Sequence, residues 1–453
     1  MTGRGGRGSV AALLSSLQNL LIRPGARAAA QNLGWLVAEK AARLVFNVGV
    51  GFWVARYLGP AQFGALNFAL AVVGIASLLA ELGFEAVVRR ELVQAPENAV
   101  AVLAATRRLR LVGGTLAGAL LVAMVLMSGA SLADRALLLV VGLTLFQPAL
   151  TVADLWFQAR LQARFSVLAQ VGALLVGAAV RVTLIVAGAP LVGFAWAVVA
   201  EMCVGGILFA SLARRAGLGR LAGAFDRAVA GRLLREAWPL LLSGFAVMLY
   251  MRIDAVMLRS LAGEAAVGIY AAVARFTEIW YFVPVALASS LLPALLRARE
   301  RGAADYAVRL QASFDVNAGL AYGLAVPLAL AAPWLIRVAY GPAFAAAGPV
   351  LALHVWSSVF VFLGVARGQF LVNEGHTRFY FGSTVAGLTV NVALNLVLIP
   401  RHGAWGAALA TVVAQAVAAW LSTFCCAPLR ATAWMQTRSL LIPFTWYRYV
   451  RRA

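Results

Sequence analysis

Charged residues are scarce in this chain of 453 residues. Aspartate, glutamate, lysine and arginine together make up 12% of the sequence, whereas a soluble domain carries roughly 25%. Hydrophobic residues account for 63%. The apolar runs are about 20 residues long, as membrane-spanning helices require, and lack the alternating pattern of roughly 10 residues that builds a transmembrane barrel. The composition therefore excludes a soluble globular protein and predicts an all-α integral membrane protein.

Cysteine and histidine are also rare, with three residues of each type. No CxxC pair occurs and the histidines are far apart in the chain, so the sequence predicts no metal site. The phosphate-binding loop of ATPases, the HExxH zinc motif and the GxSxG nucleophile motif are absent as well. We therefore expect no enzymatic activity and no cofactor.

Acidic residues are outnumbered 17 to 38 by basic ones, and all but one of the basic residues are arginine. A net charge of +21 indicates nucleic-acid binding only where the charge forms a solvated patch. Here the arginines fall in short loops between apolar runs, which is the pattern of a membrane topology signal. We therefore exclude nucleic acid as a partner.

Twelve apolar stretches are long enough to cross a bilayer. We place them at residues 35–57, 63–88, 109–129, 136–157, 166–187, 190–213, 233–259, 267–296, 314–339, 343–371, 379–399 and 403–427. With a cytoplasmic N-terminus, the inner segments carry 27 of the 38 basic residues and the outer loops carry 5. Because positive charge accumulates on the cytoplasmic side, we predict a multi-pass protein with both termini in the cytoplasm.

An internal repeat divides the chain. ARYLGPAQFGALNFA (55–69) resembles LRSLAGEAAVGIYAAVA (258–274), and two further pairs of segments are similar in the same order. Since each half then holds six spans, we expect two six-helix lobes related by an axis along the membrane normal. The predicted parts are a cytoplasmic N-terminal segment with a short amphipathic helix (1–34), an N-lobe (35–213), a cytoplasmic linker (214–232), a C-lobe (233–427) and a basic, aromatic cytoplasmic tail (428–453).

Ionisable side chains inside apolar spans are costly and usually face a wet cavity or the bundle interior. The basic residues within the predicted spans are Lys40, Arg43, Arg181, Arg252, Arg275 and Arg367. We predict that they line a cationic central cavity that holds an anionic substrate, because a guanidinium group binds phosphate with two parallel hydrogen bonds. The predicted charge partners or coupling groups are Glu39, Asn47, Asp254 and Glu278.

A structural alternative for these arginines stays open. Each could be neutralised by an acid on its own or a neighbouring helix and serve only to fix helix packing. Glu39 with Arg43, four residues apart on one helix face, and Asp254 with Arg275 are the natural pairs.

Five segments form a recognisable series along the chain. They are ARYLGPAQFGALNFA, ELGFEAVVRREL, WFQARLQARF, VGIYAAVARFTE and NVALNLVLIPRHGAWGAALAT. In this order they resemble the polysaccharide transporter, or Wzx-type, flippases of the multidrug/oligosaccharidyl-lipid/polysaccharide (MOP) exporter superfamily. The resemblance extends over residues 35–427 and implies a MATE/MOP-like, V-shaped bundle of two lobes around a central cavity.

The resemblance also implies a cargo and a location. The cargo is an undecaprenyl-diphosphate-linked oligosaccharide, moved from the inner to the outer leaflet of the bacterial cytoplasmic (inner) membrane. It would serve the synthesis of a surface polysaccharide: the O antigen of lipopolysaccharide, a capsule or an exopolysaccharide. By position, Arg43, Arg252 and Arg275 would bind the diphosphate, with Asp254 as a switchable partner. The resemblance also implies membrane lipid as a partner and is compatible with contacts to a polysaccharide polymerase and glycosyltransferases.

Two other functions stay open at this point. The first is a MATE-like drug or cation antiporter on the same fold, which should have an acidic pocket. The second is a non-transporting scaffold of a polysaccharide assembly complex. The basic residues of the spans favour the flippase, because a cation pocket needs carboxylates.

Overall fold

The computed structural model describes residues 24–218 and 226–445, which form helices and no strand. The predicted amphipathic helix around residues 13–21, the middle of the linker and the last eight residues of the tail lie outside the described residues. The described chain divides into two compact units. The first contains residues 24–51 and 76–241, and the second contains residues 52–75 and 242–445.

The first helix, α1 (Pro24–Glu81), contributes to both units because it turns in the middle. Gly59 interrupts it with φ 68° and ψ 173°, a left-handed φ that favours glycine. The arm before Gly59 (24–58) runs mainly through the first unit, and much of the arm after it (60–81) belongs to the second. Residues 52–75, which the sequence places in the N-lobe, therefore pack with the second unit.

The rest of the first unit is a set of helices joined by short turns. These helices are α2 (Glu85–Gln94), α3 (Ala99–Met127), α4 (Leu132–Gly142), α5 (Gln147–Leu150), α6 (Ala153–Ala159), α7 (Ala163–Val186) and α8 (Leu191–Arg215). Buried side chains of α2, α3, α6, α7 and α8 form one apolar core, which includes Phe84, Phe157 and Phe209. Leu233 and Ala237 extend this core from the start of the next helix, α9 (Arg227–Ala262).

The second unit begins within α9 and contains the remaining helices. These are α10 (Glu264–Glu278), α11 (Phe282–Arg301), α12 (Ala303–Tyr340), α13 (Ala347–His354), α14 (Ser357–Asn373), α15 (Thr377–Ala416), α16 (Ser422–Phe424), α17 (Arg430–Leu440) and α18 (Ile442–Thr445). A π-helical turn, Val417–Leu421, joins α15 to α16. Gln436 of α17 donates from Nε2 to the carbonyl oxygen of Ala419 at 2.9 Å, so the tail helix is fixed to that turn.

The number of membrane passes agrees with the prediction. Nine stretches of the described residues are long and apolar enough to span a bilayer. Two of them turn at a glycine, Gly59 in α1 and Gly403 in α15, and so contain two passes each. The helix α9 covers the predicted seventh span and supplies the twelfth pass. The prediction of an all-α membrane protein with about twelve spans is therefore confirmed.

Candidate functional site

A cavity of about 380 Å³ lies inside the second unit. Its wall is formed by the second arm of α1 together with α9, α10, α13 and α15. Both basic residues that the sequence singled out in α9 and α10, Arg252 and Arg275, line it, as does Glu278. The cavity wall therefore carries two guanidinium groups and two carboxylates, those of Glu278 and Asp254, in a largely apolar unit.

The two arginines of the cavity are held in different ways. Arg252 lies 3.8 Å from Glu278, measured from its NH1 nitrogen to the Oε1 oxygen. Its side chain remains 42% exposed, which leaves much of the guanidinium accessible. The guanidinium of Arg275 lies over the ring of Phe63, 4.8 Å from the ring centre, where a cation is attracted to the aromatic face. Arg252 therefore offers an accessible guanidinium group, while Arg275 is positioned by an aromatic ring.

Asp254 also reaches the cavity wall, but its partners are neutral. Its Oδ2 atom accepts hydrogen bonds from the hydroxyl groups of Tyr270 at 2.6 Å and Thr411 at 2.9 Å. Its Oδ1 atom accepts one from Nδ2 of Asn395 at 2.6 Å. The residue is only 4% exposed. We expected Asp254 to balance a cation; instead, three neutral donors from α10 and α15 hold this carboxylate.

His354 completes the polar cluster around Asp254. Its Nδ1 atom lies 3.1 Å from the hydroxyl of Thr277, and its Nε2 atom lies 3.3 Å from the hydroxyl of Tyr270. Sequence analysis missed this cluster. The available signal was the pair of asparagines in NVALN, four residues apart in an apolar span, together with a lone histidine in another span. Nothing in the sequence indicated that these spans are neighbours.

The two hairpin turns of the repeat meet beside the cavity. Gly263, before α10, has φ 85° and ψ 179°, close to the conformation of Gly59. Five residues after each turn, the backbones touch: a Cβ atom on Gly64 would lie 1.8 Å from the carbonyl oxygen of Glu264. A Cβ atom on Gly268 would lie 2.0 Å from the carbonyl oxygen of Pro60. Only glycine at both positions permits this approach.

Aromatic packing and one arginine add to this contact. The rings that pack against one another here are Phe52, Phe63, Phe276, Tyr340 and Phe344. Arg56 donates from its Nε atom to the carbonyl oxygen of Ala339 at 2.9 Å and also bonds the carbonyl of Val338. These carbonyls lie in the last turn of α12, where helical partners are lacking. The contacts explain why residues 52–75 belong to the second unit.

Arg367 is placed away from the cavity. It is only 2% exposed, and its NH1 nitrogen donates to the hydroxyls of Ser422 at 3.1 Å and Thr423 at 2.8 Å. Its NH2 nitrogen donates to the hydroxyl of Ser383 at 2.8 Å. This placement corrects the prediction that Arg367 shares a cavity with Arg252 and Arg275. Three hydroxyl groups from neighbouring segments hold it inside the helix packing.

The predicted residues of the first unit form two separate groups. In one, Arg43 donates from Nε to Glu39 at 2.8 Å, and Lys40 lies 3.5 Å from the same carboxylate. In the other, Arg181 lies 2.8 Å from Glu201. Ion pairing of this kind was the structural alternative for both arginines. A role of these residues in substrate binding stays a prediction, and the side chain of Asn47 lies outside the described part of α1.

Two family profiles match parts of the chain. The profile of the family described as "Polysaccharide biosynthesis protein" matches residues 29–299, and the profile of the MatE family matches residues 239–397. Among curated proteins, none matches the chain.

Solved structures of membrane transporters are similar over nearly the whole chain. An inward-facing multidrug resistance MATE family transporter of the MOP superfamily has a TM-score of 0.67 and 17% identity, covering 89% of this chain and 96% of its own. The lipid II flippase MurJ, in an inward closed conformation, has a TM-score of 0.68 and 12% identity, covering 93% of each chain. The predicted MATE/MOP-like fold is therefore confirmed.

Proposed function

We propose that this chain, which belongs to the polysaccharide biosynthesis protein family, is a flippase for lipid-diphosphate-linked oligosaccharides. It would move the cargo from the inner to the outer leaflet of the bacterial cytoplasmic membrane. The observation that carries the proposal is the cavity of the second unit, which Arg252 and Arg275 line. The Arg252 side chain is 42% exposed, whereas Asp254, one of the two carboxylates of the wall, is enclosed by neutral donors. The oxygens of a diphosphate can accept charge-assisted hydrogen bonds from these guanidinium groups, which a cationic ligand cannot do.

The chemistry of the cargo matches this arrangement. Arginine keeps its charge when partly buried and presents a planar fork that binds phosphate oxygens in pairs. The cavity wall also carries the side-chain amides of Asn67 and Gln415, which suit the hydroxyls of a sugar. The polyprenyl chain does not need the cavity, because each CH2 group left in the lipid avoids a cost of about 0.8 kcal/mol. The cavity would then receive only the head group.

The cellular setting is part of the same proposal. Both termini would face the cytoplasm, where the cargo is assembled, and the sugar would appear on the outer side for use by a polysaccharide polymerase. O antigen, capsule and exopolysaccharide are all surface polymers that such a unit can supply. Glycosyltransferases would supply the loaded lipid.

A cation antiporter is the second candidate function, and Asp254 is the residue that favours it. A buried carboxylate surrounded by neutral donors can exchange a proton or a small cation, and the MatE profile covers this part of the chain. Against it stand Arg252 and Arg275, which line the same cavity and repel a cationic drug. Asp254 can serve either function as a coupling group.

A transport assay in liposomes separates the two candidates. The purified chain is reconstituted with a fluorescent polyprenyl-diphosphate oligosaccharide, and the label on the outer leaflet is quenched at intervals. We expect Arg252→Ala and Arg275→Ala to slow flipping by roughly tenfold or more, since each removes a charge-assisted contact. Arg297→Ala is the control, because Arg297 is an exposed residue of α11 outside the cavity.

Two outcomes would contradict the flippase. Unchanged flipping in both cavity variants would remove these arginines from the mechanism. Export of a cationic dye by the wild-type chain, without flipping of the lipid, would favour the antiporter. Arg252→Lys sharpens the first test: it keeps the charge but loses the fork, so an intermediate rate is expected.

A further inference from the structure

A carboxylate of the first unit lies between two arginines and is linked to each through a glutamine. Asp154 accepts at Oδ2 from Nε2 of Gln158 at 2.9 Å and from Nε2 of Gln170 at 3.5 Å. Gln170 accepts at Oε1 from NH2 of Arg43 at 2.8 Å. Gln158 accepts at Oε1 from NH1 of Arg89 at 2.9 Å. The result is a polar chain with two arms that share one carboxylate at the centre.

The carboxylate at the centre of this polar chain and the arginines at its ends fix the orientation of both glutamine amides. An ionised carboxylate only accepts hydrogen bonds and a guanidinium only donates them. Each glutamine must therefore turn its NH2 group toward Asp154 and its oxygen toward an arginine. If Asp154 lost its charge, the Gln170 amide could rotate and present its NH2 group to Arg43, where two donors repel. The carboxylate thus controls the acceptor that Arg43 meets.

Two edges of the Arg43 guanidinium group are fixed by hydrogen bonds. Its Nε atom donates to Glu39 at 2.8 Å, and its Nη2 atom donates to Gln170. Within the described residues its Nη1 group meets no hydrogen-bond acceptor, and the side chain is 41% exposed. A guanidinium fixed at two edges and open at the third is prepared for an anion, because little conformational freedom remains to be lost on binding.

We infer that Asp154 is a positioning residue for Arg43: through Gln170 it orients the guanidinium that binds the diphosphate of the cargo. The inference rests on the proposed function and on the prediction from the sequence that Arg43 binds the diphosphate. Four helices supply the parts, with Arg43 on α1, Arg89 on α2, Asp154 and Gln158 on α6, and Gln170 on α7.

The second arm of the chain provides a matched control. It leaves the same carboxylate oxygen, passes through Gln158 and ends at Arg89, which lies 3.9 Å from Glu85 on its own helix. Cutting either arm removes one glutamine and two hydrogen bonds. A purely structural role of the polar chain predicts similar consequences for both cuts, whereas a positioning role predicts that only the Gln170 arm affects the ligand.

The test is a binding titration of the full-length chain in lipid nanodiscs. The probe is undecaprenyl diphosphate, with undecaprenol as its uncharged counterpart. We expect Gln170→Leu to weaken binding of the diphosphate lipid by about tenfold, the effect of losing one charge-assisted contact, and Gln158→Leu to leave it unchanged. Equal affinities for wild type and Gln170→Leu, or equal losses for both glutamine variants, would overturn the inference.

Two further variants guard against an effect of misfolding. In the combined variant Asp154→Asn with Gln170→Glu, the carboxylate and the amide exchange places, so Arg43 again meets a fixed acceptor. We expect this exchange to restore the affinity that Asp154→Asn alone loses. In an Arg43→Ala background, Gln170→Leu should cause no further loss, because coupled residues are not additive. A failed rescue or fully additive losses would count against positioning.

The proposed function and the inference fail in different ways. If the wild-type chain binds the diphosphate lipid no better than undecaprenol, the proposed substrate class is wrong and the inference falls with it. If the wild type prefers the diphosphate and Gln170→Leu keeps that preference in full, only the positioning role of Asp154 is wrong.

Discussion

The surroundings of two carboxylates, Asp154 and Asp254, differ between the interiors of the two units. In the first unit, Asp154 is partly buried, and two glutamine side chains connect it by hydrogen bonds to two arginines. In the second unit, Asp254 is almost completely buried and is surrounded by a phenol, an alcohol and an amide. One unit therefore links its carboxylate to distant arginines through hydrogen bonds, whereas the other encloses its carboxylate among neutral donors.

The cost of enclosing a charge determines how sensitive each site is to substitution. A buried polar cluster is stable only when its donors find acceptors, since an unpaired buried group loses its hydration without replacement. Asp254 accepts three hydrogen bonds at distances of 2.6 to 2.9 Å. Asp154 accepts two, one of them long, and its Oδ1 atom has no partner among the described residues. The second unit therefore depends more strongly on its carboxylate.

Removing each carboxylate should give the largest difference between the units. We expect Asp254→Ala to lower the free energy of unfolding by about 3 kcal/mol, because three buried donors lose their acceptor. We expect Asp154→Ala to cost about 1 kcal/mol, a value near that of a single hydrogen bond between membrane helices. Thermal unfolding of the purified variants in one detergent measures both. Equal losses would contradict the contrast between an enclosed and a distributed charge.

Crowding the glycine contact of the second unit should have the next largest effect. A methyl group on Gly268 would meet the carbonyl oxygen of Pro60 at 2.0 Å, so the two backbones must separate. We expect Gly268→Ala to lower the free energy of unfolding by roughly 2 kcal/mol, as overpacking does elsewhere. Gly323→Ala in α12 is the matched control, since that position has open space and should gain slightly in helix propensity. Similar thermal stability of the two variants would show that the helices can part without loss.

Breaking a surface ion pair of the first unit should have the smallest effect. Arg90 of α2 pairs with Glu236 at the start of α9, and their side chains are 56% and 37% exposed. Exposed pairs contribute about 0.5 kcal/mol because water and salt screen them. A double-mutant cycle with Arg90→Ala and Glu236→Ala should therefore give a coupling energy below about 1 kcal/mol. A larger value would mean that this contact holds α9 to the first unit more firmly than its exposure indicates.

The arginines of the predicted spans show which contacts can be predicted from the sequence and which cannot. Arg252 and Arg367 look alike in the sequence, each a charge in an apolar span, and both were predicted to line the cavity. Arg252 does so with its side chain 42% exposed, whereas Arg367 is buried among three hydroxyls. The hydroxyls come from residues 16 to 56 positions away in the chain. Helical spacing indicates which residues share a face, but not which other helix that face meets.

The partners of Asp254 were beyond prediction for the same reason. Asn395 and Thr411 lie 141 and 157 residues further along the chain. Glu39 and Arg43 could be paired in advance, because a separation of four residues puts them on one helix face, and the structure joins them at 2.8 Å. Local pairs follow from the period of the helix, while distant pairs require the packing of whole helices.

The sequence by itself determined the membrane class, the helical fold and the number of passes. These follow from composition and from the length and spacing of apolar runs, which the bilayer thickness fixes. Tertiary structure alone decided that residues 52–75 pack with the second unit, that Asp254 is enclosed by neutral donors and that Arg367 lies apart from the cavity. These features depend on close packing between side chains that are far apart in the sequence, and helical spacing does not specify that packing.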